Sequence, residues 1–171
     1  MYYVRLLVED LYYTREPIPQ YMALTATRGL HLYLRTLEAA VEDDIVTDDE
    51  MSILSVLARA FALPDDIIED AWGVLRGNHL NPIDETMSSA HEKRQIGDAT
   101  TYQTALIAAL EDEVITEDEW SMLDVMRRVM GIQPDEHAMV EESVRAMAAS
   151  VEDGDVFVTR LDRYVSLHPY R

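Results

Sequence analysis

The sequence predicts an all-α fold: a compact helical domain of about seven to eight helices, built from two duplicated three-helix units. Three observations predict it. Residues 33–64 align without a gap on residues 102–133, with 13 identities in 32 positions, among them Tyr33/Tyr102, Leu37/Leu106, Ala40/Ala109, Thr47/Thr116, Glu50/Glu119, Leu54/Leu123 and Arg59/Arg128. Apolar residues recur at helical spacing through both copies. The predicted helix starts carry the threonine, proline or acids that suit a first helical turn. A unit that cannot bury its own apolar face implies packing against its twin, so the 171 residues are read as one domain, 1–171.

The elements follow in chain order. Val4, Leu7, Val8 and Leu11 predict an opening helix within residues 1–13. The first repeat unit spans approximately 30–77. Its first helix places Tyr33, Leu37, Ala40 and Val41 on one face, and its second carries Ile53, Leu54, Leu57, Ala60 and Phe61. Its third follows "LPDD" and carries Ile67, Ile68, Ala71, Trp72 and Leu75. A polar linker, 78–98, is long for an unstructured connection in a compact domain, and a short helix is expected over 83–94. The second unit, approximately 99–150, repeats the pattern with Tyr102, Leu106, Ala109 and Leu110, then Met122, Leu123, Met126, Val129 and Met130. After "QPDE" come Val140, Val144 and Met147, and "EDGD" at 152–155 then breaks the chain. A closing helix, 156–167, presents Phe157, Leu161, Tyr164 and Val165.

Composition narrows the function classes. The chain has no cysteine, which excludes disulfides, thiolate metal sites and cysteine nucleophiles. A formal charge of −19, with Lys93 the only lysine, lacks the basic stripe that a phosphate-tracking protein needs, so nucleic acid is not expected as a partner. No 18-residue apolar run occurs, so direct membrane insertion is not expected and a cytoplasmic location is. His31, His79, His91, His137 and His168 form no ligand pair of recognised spacing, and most of them are expected at the surface. No GxSxG, P-loop or GxGxxG motif is present. Trp120, one step off the apolar stripe of its helix, is the expected contact residue for a partner.

The repeated stretches "EDDIVTDDE" (42–50) and "EDEVITEDE" (111–119) carry the densest acid. Thr47-x-x-Glu50 and Thr116-x-x-Glu119 match capping boxes, in which hydroxyl and carboxylate satisfy backbone N–H groups reciprocally. Asp48, Asp49, Glu117 and Asp118 then sit where the helix dipole favours negative charge. The acids before them, at 42–44 and 111–113, follow a helix whose C-terminal end disfavours negative charge, which either a bound divalent cation or plain solvation would offset. A standard EF-hand loop is excluded: the positions that must donate side-chain oxygen are Ala39, Val41, Ala108 and Leu110, and Asp44 and Glu113 stand where the central glycine belongs.

The stretches "LEAAVEDDIVTDDEMSILSVLARAFALPDD" and "LIAALEDEVITEDEWSMLDVMRRVMGIQPDE" resemble the TerB-like domains, which include tellurite-resistance TerB and the N-terminal region of DnaJ-like membrane-anchored proteins. The resemblance covers roughly 30–77 and 100–148 and implies an all-α fold with two related halves, a scaffolding role and divalent-cation binding at the acidic turns. Carried over by position, the metal residues are Asp43, Asp44 and Glu50 in one turn and Asp112, Glu113 and Glu119 in the other, with calcium or magnesium as the ion. Members usually carry Asp-Gly before the β-branched pair; this chain has Asp44 and Glu113 in place of that glycine. The expected function is a non-enzymatic binding or scaffold domain with weak cation sites and no catalytic residue. Two alternatives stay open: a metal-free protein-interaction domain, with a homodimer as one form, and a magnesium-dependent all-α nucleotide pyrophosphohydrolase. "DDIIED" at 65–70 also resembles the acidic segments of all-α prenyl-diphosphate enzymes, but the chain is too short for that fold, and Asp65 and Asp66 suit a helix start.

Overall fold

Threonine and acid start the long helices where the sequence places them. The computed structural model describes residues 24–41, 45–111 and 113–169, and among these it forms eight helices and no strand. They are α1 (Arg28–Ala40), α2 (Asp48–Ala60), α3 (Ile67–Leu75), α4 (Glu85–His91), α5 (Asp98–Leu110), α6 (Glu117–Val129), α7 (Pro134–Ala148) and α8 (Gly154–Leu167). The expected opening helix, 1–13, lies outside the described residues. The linker helix is shorter than the expected 83–94, and the closing helix starts two residues earlier than expected, at Gly154.

The two copies clasp each other. α1 packs most extensively against α6 of the other copy, and α2 packs reciprocally against α5. Tyr33, Leu37, Ala40, Tyr102, Leu106 and Ala109 are all fully buried, so one continuous core runs through both repeats. Each buried leucine contributes about 1.5–3 kcal/mol by leaving water. Ile53, Leu54 and Leu57 are buried as the spacing predicts, whereas Ala60 is exposed at the frayed end of α2.

Both second helices end in the same hydrogen-bond pattern. The Leu63 N–H donates to the Ala58 carbonyl (2.9 Å) and the Ala62 N–H to that of Arg59 (3.2 Å); Ile132 and Gly131 do the same to Arg127 (2.9 Å) and Arg128 (3.1 Å). This closure satisfies the last carbonyls of a helix and sets the residue after the cap in the left-handed region. At the α7–α8 corner, Gly154 lies against the Ala148 carbonyl, where an added Cβ would fall 1.7 Å from the oxygen, so only glycine permits that approach.

The fourth helix of each repeat distinguishes the copies. α8 packs on both α5 and α7, but α4 packs on α1 and not on α3. α4 is tied down at its C-terminal end by polar contacts, with Glu92 paired to His31 of α1 at 3.3 Å. Arg28, just inside α1, donates to the His91 carbonyl (2.8 Å) and forms a two-pronged pair with Asp98 at the start of α5 (2.9 and 2.8 Å). Among the described residues, no helix is long and apolar enough to cross a membrane.

Candidate functional site

The two acidic turns are built from the helix starts upward. The Glu50 N–H donates to the Thr47 hydroxyl (3.3 Å) and the Thr47 N–H to Glu50 Oε2 (2.6 Å). In the second copy the distances are 3.2 Å and 2.8 Å for Glu119 and Thr116. Glu50 and Glu119 are 2% and 0% exposed, so both carboxylates are committed to the caps and turned inward from the loop surface. Glu113 is exposed, while Asp43, Asp44 and Asp112 lie outside the described residues. Among the described residues no group of three or more His, Asp or Glu is arranged to hold a metal ion.

The cation that the second turn asks for comes in part from the chain itself. Arg160 of α8 reaches back to the C-terminal end of α5 and donates to the carbonyls of Leu110 (2.9 Å) and Glu111 (2.7 Å). A guanidinium here meets the negative end of the helix dipole and the acids that follow it. Arg160 and Arg163 line a small recess with Glu113, Val114 and Ile115. Sequence reasoning missed this arginine because its partners lie about fifty positions away. Trp120, expected as a partner contact, is half-buried: it packs against the core and stacks on His168 with ring centroids 4.5 Å apart.

Behind the second turn lies a buried polar chain that was also missed. The Tyr102 hydroxyl donates to His137 Nδ1 (3.2 Å), and His137 Nε2 donates to Glu141 (3.0 Å), an arrangement that fits the neutral tautomer with its proton on Nε2. Burial, assisted by the nearby Arg127 guanidinium, lowers the His137 pKa to about 4. Burial raises the carboxyl of Glu141 above its ordinary range and the hydroxyls of Tyr102 and Tyr164 above theirs. Two of the five histidines are buried: His31 is 4% and His137 3% exposed, and each has a polar partner that makes burial tolerable.

Two depressions flank α3. One, of about 750 Å³, runs along its outer side past Asp65, Asp66, Glu69 and Ile68 to Trp72, whose ring carries the Arg76 guanidinium 4.7 Å above its centre. The other, of about 280 Å³, lies between α1, α3 and α4. Compared with family models, with curated proteins and with solved structures, the chain has no match.

Proposed function

We propose that this chain is a non-enzymatic, TerB-like helical binding or scaffold domain of the cytoplasm, with a weak divalent-cation site at the acidic turns. The observation that carries the reading is the open flank of α3. A helix in the interior of a repeat is left with depressions on two sides and a half-buried tryptophan rimmed by acids, the combination of apolar anchor and charged rim that partner-binding surfaces use. The cation clause rests on the acids at equivalent places in two turns, Asp43, Asp44, Asp112 and Glu113; Glu50 and Glu119, also expected as ligands, are held in the helix caps. Arg160 already offsets part of the negative charge at the second turn, so the first is the stronger candidate for an ion.

Calorimetric titration of chelator-treated protein with calcium and with magnesium tests the cation clause. Saturable heat that disappears in an Asp43→Asn, Asp112→Asn double variant supports it, and absence of heat removes it. Nucleotide hydrolysis in magnesium, lost in the same variant, would overturn the non-enzymatic reading.

A further inference from the structure

The duplication gives α3 a reference within the same molecule, because its twin α7 shows the same helix with an outer strip that only faces water. Aligned on Pro64 and Pro134, positions 68, 72 and 76 correspond to 138, 142 and 146. In α7 that strip is Ala138, Glu142 and Ala146, all exposed. In α3 it is Ile68, Trp72 and Arg76, and the first two are half-buried. Ile68 and Trp72 pack in part on the core, and the rest of each lines the 750 Å³ depression along α3. Among the described helices α3 packs on α1 alone, so none of them covers this strip.

The depression is both shaped and charged. The His79 imidazole lies over Gly73, where an added Cβ would fall 2.5 Å from Nδ1, and the same nitrogen faces Asp70 at 3.6 Å. Asp65, Asp66 and Glu69 line the end where α3 begins. Acids at a helix start are no site by themselves, since α7 also begins with Asp135 and Glu136; the aromatic ring beside them is what α7 lacks. Against the four carboxylates the lining holds one arginine, Arg76, whose guanidinium stands 4.7 Å from the Trp72 ring centre. Among the described residues that guanidinium has no ion pair or hydrogen bond, so the ring face is what holds it. The chain itself thus shows the chemistry the ring accepts, a planar cation on its face with acids nearby.

We infer that the depression along α3 is a docking groove for a basic, arginine-bearing segment of a partner polypeptide. An arginine of the partner takes the place of Arg76 on the Trp72 ring, with its methylene stem along Ile68, and further basic residues meet Asp65, Asp66 and Glu69. The chain's charge of −19 favours such a cationic segment and opposes an acidic one. This assignment rests on the binding-domain reading and names its partner's chemistry.

The probe is a labelled peptide of alternating glycine and arginine, titrated with the full-length chain at physiological salt and followed by anisotropy, with lysine and glutamate versions beside it. Saturable one-to-one binding is expected, strongest for arginine, weaker for lysine and absent for glutamate. Trp72→Ala, and separately Asp65→Asn with Glu69→Gln, are each expected to weaken it at least about tenfold. Arg76→Ala is expected to tighten it at least about twofold, because a competing cation leaves the ring. Asp135→Asn with Glu142→Gln removes the same charge from α7 and leaves binding unchanged. Circular dichroism checks that each variant keeps its helices, and the Asp65, Glu69 pair decides if Trp72→Ala does not. No saturable binding, or binding indifferent to Trp72→Ala, overturns the proposal. So does an equal loss in the α7 variant, which would mean attraction to overall charge alone. Binding of the glutamate peptide that is lost on Arg76→Ala would assign the groove to an acidic partner, and a dimer in sedimentation that Trp72→Ala dissociates would assign it to a second copy; either overturns it. Those last two outcomes keep the binding-domain reading, whereas nucleotide turnover removes it, so the two failures are distinguishable.

Discussion

The two repeats share a backbone plan and differ in what fills it. Around Tyr102 the second repeat places Asp124, Arg127, His137, Glu141 and Tyr164; aligned on the repeat, and on Pro64 with Pro134 beyond it, the first repeat has Ser55, Ala58, Ile67 and Ala71 around Tyr33, with no equivalent of Tyr164. One copy thus holds a hydrogen-bonded polar core under a fourth helix. The other is apolar, and its fourth helix leans aside from α3. Duplication preserved the interlocked faces of α1, α2, α5 and α6, since each copy needs them to bury the other. The outer helices diverged, although Ile67 and Ala71 of α3, Val140 and Val144 of α7, and Leu161 and Tyr164 of α8 still join the common core.

The largest expected effect breaks the seam between the copies. Asp98 is 2% exposed and answers Arg28 from the first repeat; it also accepts from the Gln95 N–H at 2.6 Å. Asp98→Ala leaves a nearly buried guanidinium without its carboxylate, and the expected loss is about 3–5 kcal/mol. Urea unfolding followed by circular dichroism measures it. A loss below 1 kcal/mol would mean that the seam rests on apolar packing alone.

Next in size is the acid sensitivity of the second core. The folded state holds the His137 pKa at about 4 against an ordinary 6.5, so between those values the unfolded chain binds more protons than the folded one. Stability is therefore fully present above pH 6.5 and falls as the pH drops toward 4, by up to about 3 kcal/mol. Glu141 opposes this, since its raised pKa makes the folded state the better proton acceptor. His137→Ile with Glu141→Ala copies Ile67 and Ala71 of the first repeat and flattens the profile, apart from the smaller slope due to His31, which burial also lowers. Thermal unfolding between pH 7 and 4 checks it; an unchanged slope places the acid sensitivity elsewhere.

How much of this was legible in the sequence depends on the range of the interaction. Helices α1, α2, α5 and α6 were legible because period, cap and duplication agree within a few residues. Both capping boxes were too, as each joins residues three apart. Arg160 on the Leu110 carbonyl spans 50 positions, and Tyr102 on His137 spans 35, so neither left a local pattern. The burial of His137 was hidden for the same reason. A lone histidine reads as polar until its partners are known. The unequal packing of α4 and α8 was equally hidden, since the linker has no counterpart in the repeat.

A smaller effect sharpens the contrast between the tyrosines. Tyr102→Phe removes the donor to His137 Nδ1 and strands a buried acceptor, for an expected loss of about 1–2 kcal/mol. Tyr33→Phe removes a hydroxyl that has no hydrogen-bond partner among the described residues and is expected to be neutral or slightly stabilising, because burial without a hydrogen bond is itself a penalty. Burial alone pushes the Tyr33 pKa up to about 12, in keeping with an oxygen that nothing nearby stabilises. Paired denaturant melts decide it: equal losses at both positions would erase the distinction between the two cores.

The smallest effect is backbone conformation at equivalent corners. After α6 the left-handed position is Gly131 at φ 66°; after α2 the same position is Ala62 at φ 48°. The Cβ of an L-residue crowds its own backbone there, at about 1–2 kcal/mol, and the first repeat bears that strain in the same hydrogen-bonded turn that the second forms with glycine. Ala62→Gly removes the strain but adds freedom to the unfolded chain, which returns part of the gain. The expected net stabilisation is about 0.5–1 kcal/mol, and Gly131→Ala is expected to lose about as much. Because the two corners close with hydrogen bonds of nearly equal length, opposite signs in the two melts would isolate the contribution of the Cβ, whereas matching signs would mean that packing around the corner, with Leu63 or Ile132, outweighs backbone strain.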